Sequence, residues 1–185
     1  VDNYRRTWGS NLDRNNLKGL LFASSSSPFR EKQASSIISS VLEAEPSALI
    51  SDLSSSLRGG LTAIKVGSQL LKESPSEAKV LVVASEKRSA ELRSNEEQSF
   101  GDGAATLLIG QENLLATLDA HVTFHANFPH FWRRENDLSV HGGDVRFVET
   151  HGYLPLMGDI IRDLLKEAGL KSSEISKLIL HAPHP

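Results

Sequence analysis

Apolar residues fall along the chain in short blocks of two different periods, and the alternation of those periods predicts its elements. Leu17 and then Leu20, Leu21, Phe22 and Ala23 lead into Ser24 to Ser27 and Pro28, which predicts a buried strand over 17–23 entering a loop. From Lys32 the spacing changes. Ala34, Ile37, Ile38, Val41 and Leu42 recur at helical intervals with Pro46 beyond them, so a helix follows. Ala48, Leu49 and Ile50 predict a second short buried strand that closes on Asp52. Between Arg58 and Leu71, Leu61, Ile64, Val66 and Leu70 mix with Gly59, Gly60, Ala63 and Gly67 and almost no charge. That is the pattern of a helix buried on most sides, whose small residues admit close neighbours.

Lys79 to Ala84 is unbroken and rich in valine, which predicts a strand central to a sheet. Gly101, Asp102 and Gly103 form a glycine-bounded turn with positive φ, and Ala104 to Ile109 predicts another buried strand; 118–128 alternates weakly enough for one more. After a polar stretch over 129–150, Leu156, Ile160, Ile161, Leu164, Leu165 and Ala168 share a helical face, with Gly169 beyond it. Leu178, Ile179 and Leu180 then read as a strand ending at His181. Strands alternating with helices give an α/β class with a largely parallel sheet, in which function gathers at the carboxyl ends of strands. Ser24, Asp52 and His181 sit at such ends.

Composition narrows the function classes. Of 185 residues, 39% are hydrophobic and 23% charged, an ordinary globular balance that excludes a disordered chain. A formal net charge of −3 supplies no field toward nucleic acid or anionic lipid. No apolar run reaches the roughly 18 residues of a membrane helix, and no secretory pattern opens the sequence, so the expectation is a cytoplasmic protein with no nucleic-acid or membrane partner. Val1 is not a start methionine, the first element begins abruptly, and the last strand delivers a loop just before Pro185, so both ends are expected to be incomplete. The chain has no cysteine, which excludes disulfides, thiolate metal sites and a cysteine nucleophile within these residues.

Four segments occur in a telling order: Asp52-Leu-Ser-Ser-Ser-Leu57-Arg-Gly-Gly-Leu-Thr-Ala63; Phe100-Gly-Asp-Gly-Ala104; Phe131-Trp-Arg-Arg134 with His141, Gly142, Arg146 and Phe147; and His181-Ala-Pro183. Together they resemble the thiolase-fold condensing enzymes, closest to hydroxymethylglutaryl-CoA synthases of the bacterial and archaeal type and more distantly ketoacyl-ACP synthase III. The resemblance covers roughly 17–185. It implies an α/β, thiolase-like layered fold with mixed, mostly parallel sheets. Residues 1–128 would form most of an N-terminal thiolase-like half, 129–150 a connecting segment and 151–185 the start of a C-terminal half. It also implies acyl-CoA or acyl-carrier-protein thioesters as substrates, coenzyme A entering only as a thioester with no tightly bound cofactor or metal, and a homodimer or a heterodimer with a paralogue.

The same alignment exposes what is missing. Family members open the small-residue helix with a cysteine that a thioester acylates, and Leu57 stands there; a side chain without a lone pair cannot attack a thioester. The family's glutamate general acid falls on Ser25, which has no carboxyl proton to move. His181 stands at the family's catalytic histidine, either as acid and base or as a loop hydrogen-bonding group. Ser56 is one residue too early to serve as nucleophile. The chain therefore reads as a catalytically degenerate acyltransferase, or as a non-catalytic subunit that pairs with an active paralogue.

Other features have blander readings beside them. Trp132 and Arg133, with Arg134, suit stacking on a CoA adenine and pairing with its phosphates, or a dimer-interface loop. Gly101-Asp102-Gly103 is a turn before it is a phosphate cradle, and His121 and His125, four apart on a strand-like stretch, lack a third metal ligand nearby.

Overall fold

The computed structural model describes residues 14–128 and 130–180. The chain parts into two compact units between Leu115 and Ala116, and each is taken by itself.

The first unit is built on a four-stranded sheet of β1 (Leu17–Ala23), β2 (Leu49–Leu53), β3 (Lys79–Glu86) and β4 (Gly103–Ile109), in the order β2-β1-β3-β4. β1 pairs in parallel with both β2 and β3, and β3 pairs antiparallel with β4. Parallel neighbours need a crossover, which helices α1 (Ala34–Leu42) and α2 (Gly59–Leu71) supply, and a short helix α3 (Asn95–Ser99) precedes β4. This is the α/β class that the periodicity implies and the mixed, mostly parallel sheet that the resemblance implies, with β3 interior.

The pleat sorts the apolar side chains into two layers. Leu21, Val80 and Val82 pack with Ala63 and Leu71 of α2, while Leu20 and Leu81 pack with Ile38 and Leu42 of α1. Leu17 joins Leu20 despite its odd spacing because the β1–β3 register slips between Leu17 and Gly19. Gly59 lets α2 start hard against the sheet: a Cβ there would lie 3.3 Å from both the Ala23 Cβ and the Leu53 carbonyl oxygen. At its other end the Leu71 carbonyl accepts from Ser74 N at 3.1 Å and from the Gln111 amide at 2.9 Å.

Several expectations are corrected. β2 is not a buried strand: it forms one edge of the sheet, with Leu49 exposed and the rest half-buried. α2 is not buried on most sides: Gly59, Ala63, Gly67 and Leu71 make one buried stripe, and Leu61 is exposed. β4 is not a buried strand: it lies at the sheet edge, its first five residues are exposed, and only Leu108 and Ile109 reach the packed layers. Residues 118–128 and 178–180 form no strand, since apolar content alone supplies no ladder partner, and among the described residues none pairs with them. His121 and His125 accordingly sit exposed on irregular backbone rather than on one strand face. Gly101 and Gly103 take no positive φ, and a Cβ at either would meet nothing within 4 Å, so that turn does not need glycine.

In the second unit the polar 129–150 stretch contains a two-residue antiparallel pair, β5 (Phe131–Trp132) with β6 (His141–Gly142), and then the start of a long helical run. α4 (Val145–Phe147) is capped by the Asp144 carboxylate, which accepts from Phe147 N at 2.8 Å. A π-helical segment (Val148–Tyr153) leads into α5 (Leu154–Ala168). Gly169 ends α5 at φ 67°, and the Leu170 N–H reaches back to the Leu165 carbonyl at 3.0 Å, the left-handed stop that glycine adopts without strain. Among the described residues no helix is long and apolar enough to cross a membrane.

Candidate functional site

The register of the parallel strands decides what meets at their carboxyl edge. Ala23 lies opposite both Leu53 and Ala84, so Ser24 and Ser54 leave the sheet side by side while β3 runs on through Ser85 to Glu86 against β4. The Ser24 N–H donates to the Leu53 carbonyl at 3.1 Å, carrying the pairing past the end of β1. α2 begins over this edge with Gly59 against Ala23 and Leu53 and Gly60 near Ala84.

Asp52 has a definite task here. Its two carboxylate oxygens accept from the backbone N–H groups of Ala34, at 2.7 Å, and Ser35, at 2.9 Å. Gln33 precedes α1 without a side-chain cap, so a carboxylate from β2 satisfies two of the open donors and meets the positive end of the helix. Between Asp52 and the loop after β1 lies a cavity of about 260 Å³, lined among others by Phe22, Ser24, Ser27, Phe29 and Ser54.

Leu57 sits in the turn ahead of α2 and is 54% exposed, so its side chain faces out at the place where the resemblance puts the nucleophile. Ser56 beside it is engaged otherwise: its hydroxyl oxygen accepts from Arg58 N at 3.2 Å. Ser55 holds φ 65°, a conformation uncommon outside glycine, in the same turn.

Ser25 does not stand alone. The Glu86 carboxylate accepts from Ser25 N at 2.7 Å and Ser25 Oγ at 3.0 Å, and from Ser26 Oγ at 2.9 Å. Ser26 Oγ in turn accepts from Lys87 N at 2.7 Å. A carboxylate thus lies beside Ser25, and it comes from β3. Sequence reasoning passed over Glu86 because it ended this strand at Ala84. The signal lay in the register alone: two residues past the Ala23–Ala84 pair, Ser25 and Glu86 fall side by side.

Trp132 and Arg133 belong to the second unit. Trp132, 42% exposed on β5, stacks on His141 with ring centroids 6.0 Å apart, and His141 Nε2 lies 3.2 Å from the Asp137 carboxylate. Arg133 is exposed on the same hairpin. His181 lies outside the described residues.

This sheet, its two crossover helices and their convergence at the carboxyl edge form a thiolase-like fold, and comparison with solved structures agrees. An HMG-CoA synthase complexed with CoA superposes with a TM-score of 0.79 at 17% identity, over 87% of this chain and 41% of that one. The 3-oxoacyl-[acyl-carrier-protein] synthase III of Aquifex aeolicus gives 0.74 at 19% identity, over 90% and 54%. The curacin-pathway HMG synthase in complex with acetyl donor-ACP gives 0.73 at 20%, over 89% and 41%. By sequence, the chain is similar to the hydroxymethylglutaryl-CoA synthase of Picrophilus torridus, 22% identical over 180 residues, 95% of this chain and 49% of that protein. The chain spans about half the length of the curated relatives it matches. No protein-family model matches it.

Proposed function

We propose that this chain binds an acyl-CoA or acyl-carrier-protein thioester at the carboxyl edge of its sheet and forms no covalent acyl intermediate there. The observation that carries the reading is Leu57, turned outward at the start of α2 where a condensing enzyme of this fold needs a thiolate. Without a lone pair at that atom the two-step route through an acyl-enzyme is closed. CoA and acetyl donor-ACP as partners of similarly folded proteins support the ligand class. On this reading Trp132 and Arg133 serve the CoA moiety, His181 stands by as the acid and base of its loop, and residues 1–128, 129–150 and 151–185 keep the halves that the alignment gives them.

The test is a calorimetric titration of acetyl-CoA into the folded chain, with intact mass measured after incubation. Saturable binding with no gain of an acetyl group is the expected result. An acetylated chain overturns the claim that the covalent route is closed, and no binding overturns the thioester reading.

A second reading has its own observation. Among the described residues β4 pairs on one side only, and Leu107 is 53% exposed, which suits a subunit that pairs with another copy or with an active paralogue.

A further inference from the structure

We propose that the crevice between the carboxyl ends of β1 and β2 binds a free short-chain carboxylate, its carbon chain against Phe22, Phe29 and Leu53 and its charged end toward Lys32 and Ser27. This goes beyond the thioester reading and does not rest on it. Topology singles the place out. The chain leaves β1 for α1, which packs with Leu20 and Leu81, and leaves β2 for α2, which packs with Leu21 and Val80 on the opposite face of the sheet. Neighbouring strands whose connections part to opposite faces open a crevice at their carboxyl ends, where open α/β sheets bind ligands. The cavity of about 260 Å³ lies there, with Phe22, Ser24 and Ser27 from the β1 side and Asp52, Leu53 and Ser54 from the β2 side.

Size and lining set the ligand. The volume is several times the roughly 30 Å³ that one water molecule takes up in the liquid, and below the roughly 300–1,000 Å³ of pockets that enclose drug-sized molecules. A molecule of a few carbons matches that range, and Phe22, Phe29 and Leu53 give its chain an apolar wall.

Four charged residues also line the crevice, Arg30 and Lys32 against Glu31 and Asp52. The Asp52 carboxylate is already met by two N–H groups at the positive end of α1, so the lining as a whole favours an anion. Lys32 Nζ stands 5.2 Å from the centre of the Phe29 ring, which puts a cation beside the apolar wall. Ser27 adds a hydrogen-bond donor. Its Oγ is buried and, among the described residues, has no hydrogen-bond partner, whereas Ser24 Oγ accepts from Ser26 N at 3.1 Å. One rotation about χ1 re-aims a serine hydroxyl between its staggered positions. A carboxylate, which only accepts, suits both that hydroxyl and a lysine ammonium.

The test is a calorimetric titration of butyrate into the full chain at pH 7, where a free carboxyl is ionised. Butyramide, the uncharged analogue of the same shape, and inorganic phosphate are titrated alongside. Butyrate should bind saturably at millimolar concentration or below, and the other two about tenfold or more weakly, one for want of charge and the other for want of a chain. Ser27→Ala should weaken butyrate about ten- to a hundredfold, the share of a hydrogen bond to a charged group. Ser27→Thr, which keeps the hydroxyl, should retain most of the affinity, and Lys32→Met should weaken butyrate while leaving butyramide unchanged.

No saturable binding of butyrate overturns the proposal, as does equal binding of butyramide or phosphate, or butyrate binding that survives both Ser27→Ala and Lys32→Met. Should circular dichroism show Ser27→Ala unfolded, Lys32→Met at its exposed position decides: undiminished affinity overturns the assignment. Acetyl-CoA binding without butyrate binding overturns the carboxylate pocket alone, and butyrate binding without acetyl-CoA binding upholds it while the thioester reading falls.

Discussion

A carboxylate that accepts two N–H groups from a helix it does not belong to couples that helix to its strand, and Asp52 does this for α1. The consequence is energetic as well as geometric, since both N–H groups would otherwise need another partner. Asp52→Ala is expected to lower stability by about 1–3 kcal/mol, read as a lower urea midpoint at unchanged slope. Asp52→Asn, which keeps one acceptor oxygen, should cost less. An unchanged midpoint in Asp52→Ala would mean that α1 is held by its apolar face alone. Asp52 and Glu86 also divide the work of the edge: one carboxylate serves α1, the other serves the loop after β1.

At the scale of elements, the first turn of α2 is fitted to the ends of two strands. Gly59→Val would push methyl groups into the Ala23 Cβ and the Leu53 carbonyl, each 3.3 Å from the first added carbon, so either the helix start or the sheet must shift. The expected result is a loss of about 1–3 kcal/mol in denaturant unfolding together with weaker acetyl-CoA binding, because the same turn carries Leu57. Elements such as β1, β3, α2 and α5 were legible from the sequence because a buried strand or an amphipathic helix leaves its period in the order of residues. The edge position of β4 was not, since Ala104 to Ile109 reads the same whether one neighbour or two will pair with it. Glu86 was hidden for a related reason: its importance depends on a register between strands, and no local pattern encodes that.

For the whole molecule, the exposed side of β4 is the feature with most to say about assembly. If a second copy adds to this edge, Leu107→Lys places a charge in the contact, and sedimentation should show the wild type at twice the chain mass and the variant at one. A wild type that sediments as a single chain would refute that assembly. The stability of the unit rests elsewhere, on the two layers around β1 and β3, where Leu20 is 0% exposed. The leucine blocks and valine run told where that core would be.

The tie between Ser25 and Glu86 spans 61 positions of chain. It lies just past the Ala23–Ala84 pair that ends the β1–β3 ladder, so β3 must pair with β1 before the carboxylate reaches the loop. Disrupting it should therefore speed unfolding more than it slows refolding, the signature of an interaction made after the rate-limiting barrier. A tie made only after that pairing is expected to open before the ladder behind it does.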